Sequence, residues 1–390
     1  MVPASPSLVL SGGGARAAYQ VGFLRGLVRQ FPTATFPVIT GVSAGAINAA
    51  HLANCTKPTP ESVERLVELW RSLTVDQVFR TDLLSLGSHM VTWALRLISG
   101  GRVRFGSSSF RGMLDTLPLR EFLQRALATP DGRLHGITEN LRSGRLDAIG
   151  ITTTNYGTGQ SVTWVEGRDV VDWERPGRRS RLTALTVDHV LASCALPLLF
   201  PGVKIEQRWH GDGGVQLTAP LSPALHLGSD RILAVSTSYN PTSAEADNPT
   251  TEGYPPPATI VGLLLDAIFL DMLDCDAQVL RRTNRMIRLV PDISSTNLRP
   301  VELLLVRPSQ DLGLLANDYE HELPAVFRFM MRGLGTERTR RGNLLATLLF
   351  QPGYIARLLE IGERDAMDRH DQIARFLAVS GAREEARPLA

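Results

Sequence analysis

The sequence predicts an α/β fold, and three observations predict it. Two short apolar runs near the start, Ser7–Leu10 and Phe36–Thr40, each lead into a glycine-rich turn and then into a segment of helical spacing. Further runs of strand length, at Leu146–Thr154 and Arg231–Ser236, follow downstream among amphipathic helical patterns, the order that builds a mostly parallel sheet. Composition agrees: 43% hydrophobic and 21% charged residues describe an ordinary globular protein, and a net charge of +2 offers no global field for nucleic acid.

Ser7–Leu10 reads as a buried strand running into Ser11-Gly12-Gly13-Gly14-Ala15-Arg16 and a helix through Leu27. Glycines there leave backbone N–H groups free to point at an anion, and the helix N-terminus adds partial positive charge. Two functions use such a loop. Gly12-x-Gly14-x-x-Ala17 fits a loose dinucleotide fingerprint, but that needs an acidic residue at the end of the second strand, and Phe31–Thr40 has none. The other is an oxyanion hole built from the N–H groups of Gly13, Gly14 and Ala44. What ends the second strand is Gly41-Val42-Ser43-Ala44-Gly45, a serine between glycines at a strand-to-helix junction. That arrangement holds a nucleophilic hydroxyl at the apex of a strained turn, which makes Ser43 the candidate nucleophile.

Val63, Leu66, Val67, Trp70 and Leu73 mark an amphipathic helix over Ser62–Leu73. Leu84–Ile98 is apolar nearly all round and ends at Ser99-Gly100-Gly101; a lid or interfacial helix meeting lipid and a buried helix are equal readings. A helix at Arg120–Ala128 precedes a hairpin of Leu146–Thr154 with Ser161–Glu166. Arg175, Arg178, Arg179 and Arg181 read as a solvated loop, with contact to a phosphate headgroup as the alternative. Thr186 caps a helix over Val187–Ala195, and an apolar, proline-punctuated loop runs to Pro201. Asp212-Gly213-Gly214 reads as a tight turn presenting a carboxylate, and Ser43 needs a base, so Asp212 is the candidate.

Residues 238–258 read as a mobile loop, followed by one long helix from Thr259 to about Arg285 and strands at Met286–Val290 and Glu302–Arg307. The expected organisation is an α/β domain over 1–312 and a helical C-terminal region over 313–390 packed on it. Cys55, Cys194 and Cys275 form neither a disulfide framework nor a zinc spacing. Neither a signal peptide nor a membrane-spanning run is read, so the expected location is cytoplasmic, peripheral to membrane if Leu84–Ile98 meets lipid.

Four motifs together resemble the patatin-like phospholipases. Gly12-Gly13-Gly14-Ala15-Arg16 is similar to that family's oxyanion motif, and Gly41-Val42-Ser43-Ala44-Gly45 to its nucleophile elbow. Ala192–Pro201 resembles its helix and loop before the catalytic acid, and Asp212-Gly213-Gly214 its acid motif, with Pro220-Leu221 after it. Where the family usually has glycine after the loop arginine, this chain has Ala17, the smallest replacement. The resemblance implies a three-layer α/β/α fold, a Ser43–Asp212 dyad in place of a triad, lipid acyl-ester substrates, and no metal or cofactor. Arg16 is expected to shape the glycine loop. One alternative is a Ser-His-Asp esterase using His210, His226, His321 or His370, although Ser43 has room for only one βα unit before it. The other is a catalytically silent scaffold or nucleotide-binding module.

Overall fold

Runs of leucine, isoleucine, valine and alanine buried on both faces form the centre of one mixed sheet. The structure is a computed structural model, and it describes residues 6–81, 112–127, 130–247, 254–269, 271–289, 298–338 and 342–384. Its strands are β1 (Ser7–Leu10), β2 (Val38–Val42), β3 (Ala148–Asn155), β4 (Gln160–Gly167), β5 (Glu174–Arg175), β6 (Arg178–Leu182), β7 (Val203–Ile205), β8 (Arg208–Asp212), β9 (Arg231–Val235) and β10 (Glu302–Val306). They lie in the order β10-β9-β1-β2-β3-β4-β6-β5, with β8 pairing both β3 and β7. The run from β10 to β3 is parallel throughout, and β4 and β8 both pair antiparallel with β3.

Helices cover both faces. Leu8, Leu10, Leu233 and Val235 point into one apolar core with α1 (Ala18–Gln30) and α2 (Ala44–Asn54). The alternate residues Val9, Ile232 and Ala234 point into a second core. The first core also takes α3 (Val187–Ser193), α4 (Pro257–Phe269), α6 (Asn343–Leu348) and α7 (Pro352–Asp368). The second takes α5 (Asp271–Leu289) through Leu273, Ala277 and Leu280. The chain is thus a three-layer α/β/α sandwich. Residues on either side of 313 share the first core, and Tyr354, Ile355 and Leu358 of α7 are completely buried in it.

Several sequence expectations are corrected. Met286–Leu289 belongs to α5, not to a strand, because its buried residues Leu273, Ala277, Leu280 and Ile287 recur at helical spacing. The helix expected from Thr259 begins two residues earlier, at Pro257; its described parts are α4 and α5, on either side of residue 270. Within 238–258, Thr242 caps a short helix at Ser243–Ala246. The arginine cluster is not a loop: β6 satisfies the edge of β4 with parallel pairing from Ser161–Arg178 to Val165–Leu182. Asp212 ends a strand instead of sitting at a bare turn, and β2 extends two residues further than expected, to abut Ser43. Leu84–Ile98 lies outside the described residues.

Helices α1 and α7 cross backbone against backbone. A Cβ on Gly22 would stand 2.1 Å from the Leu359 carbonyl oxygen, and one on Gly362 would stand 2.2 Å from that of Tyr19. Beside this crossing the Tyr19 hydroxyl donates to Asp365 at 2.9 Å. Gly362→Leu is therefore expected to lower stability by about 3 kcal/mol, read as a lower denaturation midpoint; an unchanged midpoint would rule out the close crossing.

Candidate active site

β2 delivers the chain to Ser43 with its strand hydrogen bonds complete, and α2 begins one residue later. Between them Ser43 adopts φ 54° and ψ −134°, a backbone conformation that costs a non-glycine residue about 1–3 kcal/mol. The surroundings hold it there. The Ser43 N–H donates to Ser193 Oγ at 2.9 Å, and Ser193 Oγ in turn donates to the Thr152 carbonyl at 2.7 Å. Cys194 Sγ donates to the Ser43 carbonyl at 3.0 Å. Burial and the nearby Asp212 carboxyl push the Cys194 thiol well up, so it keeps the proton this bond needs.

The glycine loop packs directly on this turn. A Cβ on Gly12 would meet Ser43 Cβ at 2.9 Å, and one on Gly45 would meet the carbonyl oxygens of Leu10 and Ser11 at 2.4 Å. Gly13 (φ 144°) and Gly14 (φ 59°) turn the chain through conformations that favour glycine. Thr237 Oγ1 donates to the Gly12 carbonyl at 2.6 Å. Arg16 is almost completely buried; its Nε donates to the Gly13 carbonyl at 3.3 Å, and its Nη2 to Asp266 at 3.0 Å and Thr347 Oγ1 at 3.1 Å. Arg16 is thus engaged in holding the loop. Among the described residues, no acceptor takes the N–H groups of Gly13, Gly14 or Ala44.

Behind the loop runs a chain of buried polar groups. Gln20 Nε2 donates to the carbonyls of Ser11 at 2.9 Å and Val235 at 3.0 Å. Asn48 Nδ2 donates to Gln20 Oε1 at 3.0 Å and to the Ala17 carbonyl at 3.2 Å, and Trp70 Nε1 donates to Asn48 Oδ1 at 2.7 Å. The alanine at position 17 is fully buried and fits this packing.

Asp212 arrives from the far side of the sheet order. β8 pairs it with Thr153 of β3, its N–H donates to the Ala195 carbonyl at 2.9 Å, and Thr154 Oγ1 donates to its own carbonyl at 2.8 Å. Its carboxyl is fully buried. Oδ1 accepts the Gly214 N–H at 2.9 Å, and Oδ2 has no hydrogen-bond partner among the described residues. Burial raises its pKa to about 7, against the opposing pull of the Ser43 hydroxyl and the Gly214 N–H. Ser43 is thus close enough to stabilise the carboxylate without forming a hydrogen bond to Oδ2. Gly213 and Gly214 have no room for a side chain: a Cβ on Gly213 would meet the Thr152 carbonyl oxygen at 2.1 Å, and one on Gly214 would meet Phe269 of α4 at 2.2 Å.

The structure therefore gathers Ser43, Asp212 and the loops of residues 12–16, 41–45 and 213–214. It also supplies Ser193, Cys194, Thr237 and Asp266, which sequence reasoning passed over. Ser193 and Cys194 lie within a motif the sequence marks, but nothing local shows that they reach a residue about 150 positions earlier. The histidines go elsewhere. His210 Nδ1 is paired with Thr153 Oγ1 at 3.0 Å and its ring packs edge-on to Trp164. His226 stacks on Trp173, His321 pairs with the Asp318 carbonyl, and His370 pairs with Gln30. A cavity of about 560 Å³, lined by His51, Asn54 and Cys55 at the far end of α2, contains neither Ser43 nor Asp212. No described helix is long and apolar enough to cross a membrane.

Comparison with known proteins shows the family. The family model of patatin-like phospholipases matches residues 8–225. Comparison with curated proteins gives no match. Among solved structures, human GIVD cytosolic phospholipase A2 is similar over 97% of this chain at 13% identity and a TM-score of 0.49, and this chain spans 60% of its length. VipD from Legionella pneumophila is similar over 95% of this chain and 67% of its own, at 13% identity and a TM-score of 0.40.

The raised pKa of Asp212 carries a stability consequence. Its folded value near 7 lies above the unfolded value near 3.8, so the native state holds a proton that the unfolded state has lost, and stability falls as pH rises between them. Asp212→Asn keeps an acceptor for Gly214 and removes the buried charge. It is expected to unfold at a higher temperature than wild type at pH 8, with the difference vanishing near pH 4; a stabilisation unchanged across that range would overturn the assignment.

Proposed function

Because the chain belongs to the patatin-like phospholipase family, we propose that it is a lipid acyl hydrolase in which Ser43 and Asp212 form a two-residue catalytic machine. The observation that carries this reading is the buried, unpartnered Oδ2 of Asp212 beside a serine held in a strained turn. Asp212 takes the proton as Ser43 Oγ attacks the ester carbonyl carbon, and the carbonyl π electrons move onto oxygen. The N–H groups of Gly13, Gly14 and Ala44 receive that oxyanion, the last of them with the positive end of α2 behind it. Collapse expels the alcohol, which takes the proton back from Asp212. Water, deprotonated by Asp212, then cleaves the acyl-enzyme and regenerates Ser43.

A phospholipase A or lysophospholipase activity on membrane-derived acyl esters is the reaction class. Membrane contact belongs to the same reading. The triad alternative lacks support, since His210 is bonded to Thr153 and buried against Trp164. A silent scaffold would have no need to sequester an unpartnered carboxylate beside a strained serine.

Hydrolysis of a p-nitrophenyl acyl ester and of phosphatidylcholine by Ser43→Ala and Asp212→Asn tests the machine. Each is expected to lose about a thousandfold or more; full activity in either variant would overturn it. His210→Ala is expected to stay within a few fold of wild type and to keep fluorophosphonate labelling at Ser43, whereas a loss as deep as that of Ser43→Ala would restore the triad. With a base that must be ionised and titrates at about 7, wild-type kcat/KM is expected to fall as pH drops through that value. An acid limb near 4 would show that Asp212 keeps an ordinary aspartate pKa and is not shifted by burial.

A further inference from the structure

Helix α4 borders the glycine loop and Gly214, and its two sides differ. The inner side carries Ala258, Gly262, Leu265 and Phe269; Phe269 borders Gly214, and Asp266 pairs with Arg16 of the glycine loop. The outer side carries Ile260, Val261, Leu263 and Leu264, of which the two leucines are 59% and 58% exposed. Four large aliphatic side chains within five residues, uncovered and directly over a polar site, form more apolar surface than a soluble helix leaves exposed by chance.

Helix α5 follows, and on its outer side Gln278, Arg282, Arg285 and Leu289 recur at helical spacing and are all exposed. Val279, Met286 and Leu289 are 59%, 67% and 77% exposed, and they stand among Arg281, Arg282, Arg285 and Arg288. Among the described residues no carboxylate pairs with those four guanidinium groups. The acids on the inner side of the two helices are committed: Asp266 to Arg16, Asp274 to Arg307 and Asp276 to the Leu221 N–H.

We infer that the outer faces of α4 and α5 dock on an anionic lipid surface, the aliphatic side chains of α4 entering the acyl region while the α5 arginines meet headgroup phosphates. This rests on the lipid hydrolase reading for its choice of occupant. Exposed aliphatic residues bordered by arginine are the composition of helices that lie in a membrane interface. Guanidinium groups that no described carboxylate pairs select an anionic bilayer over a neutral one. The same helix reaches Gly214 and Arg16 from its inner side, so docking brings the lipid to an element that touches both the glycine loop and the turn after Asp212.

Vesicle co-sedimentation of the full chain carrying Ser43→Ala, so that no lipid is consumed, tests the surface. Vesicles of phosphatidylcholine alone are compared with vesicles containing phosphatidylserine. The protein is expected to partition more strongly onto the anionic vesicles and to lose that preference in high salt. Adding Arg282→Gln and Arg285→Gln together is expected to cut anionic partitioning about thirtyfold and leave the phosphatidylcholine value unchanged. Adding Leu263→Ser and Leu264→Ser together is expected to cut partitioning onto both vesicles more than tenfold. In the Ser43 background both pairs keep the wild-type circular dichroism and melting profile, and in the active chain both keep hydrolysis of a soluble p-nitrophenyl ester.

Equal sedimentation by parent and variants overturns the docking surface, as does absence of sedimentation. So does a dimer that the leucine substitutions dissociate without any effect on vesicle binding. If the parent docks and the wild-type chain cleaves no ester, the docking inference stands and the hydrolase reading falls. If the wild-type chain cleaves soluble esters and never docks, the reverse holds.

Discussion

The left-handed backbone at Ser43 is the constraint on which the rest of the site depends. It joins β2 to α2, and it is unfavourable for any residue with a side chain. The cost is offset by contacts from three directions. Ser193 accepts the turn's N–H, Cys194 donates to its carbonyl, and the glycines at 12 and 45 let neighbouring backbone approach within a distance no Cβ permits. Helix α3 is therefore part of the support of the Ser43 turn.

Asp212 shows the same economy in electrostatic form. A fully buried carboxyl with one free oxygen is unfavourable as an anion, and burial lifts its pKa to about 7 instead of leaving it near 3.8. That places its proton affinity where a carboxylate can act as a base near neutrality, which an exposed aspartate does poorly. The acid is held by backbone: the paired strands β3 and β8, the Ala195 carbonyl and the Gly214 N–H. The strand brings the carboxyl close to Ser43, and His210, two residues earlier, is bonded to Thr153 instead.

Arg16 joins the catalytic layer to the outer one. Its guanidinium spans the Gly13 carbonyl, Thr347 of α6 and Asp266 of α4, so the shape of the glycine loop and the seat of the covering helix share one buried cation. A partly buried ion pair of this kind is worth little net stability, yet loss of one partner leaves the other charge poorly solvated. The pair serves best as a positional restraint on α4, whose inner side faces the catalytic turn.

The sequence by itself determined the α/β class and the turns at Gly12–Gly14, Gly41–Gly45 and Asp212–Gly214, because each is a local event: a strand ends, glycines follow, and a side chain is exposed or withdrawn within a few residues. The resemblance carried by those motifs extended this to the family. Local pattern was a weaker guide where the partner is distant. Arg178–Leu182 became a strand because β4 needed an edge partner, and Met286–Leu289 stayed helical because its buried spacing continued from Leu273. Only the tertiary structure decided that Ser193 and Cys194 brace Ser43, that Arg16 is bound to Asp266, and that Asp212 is buried without a second partner. Those facts depend on contacts between segments 150 to 250 residues apart; hydrogen bonding and desolvation act through space, and spacing along the chain does not encode them.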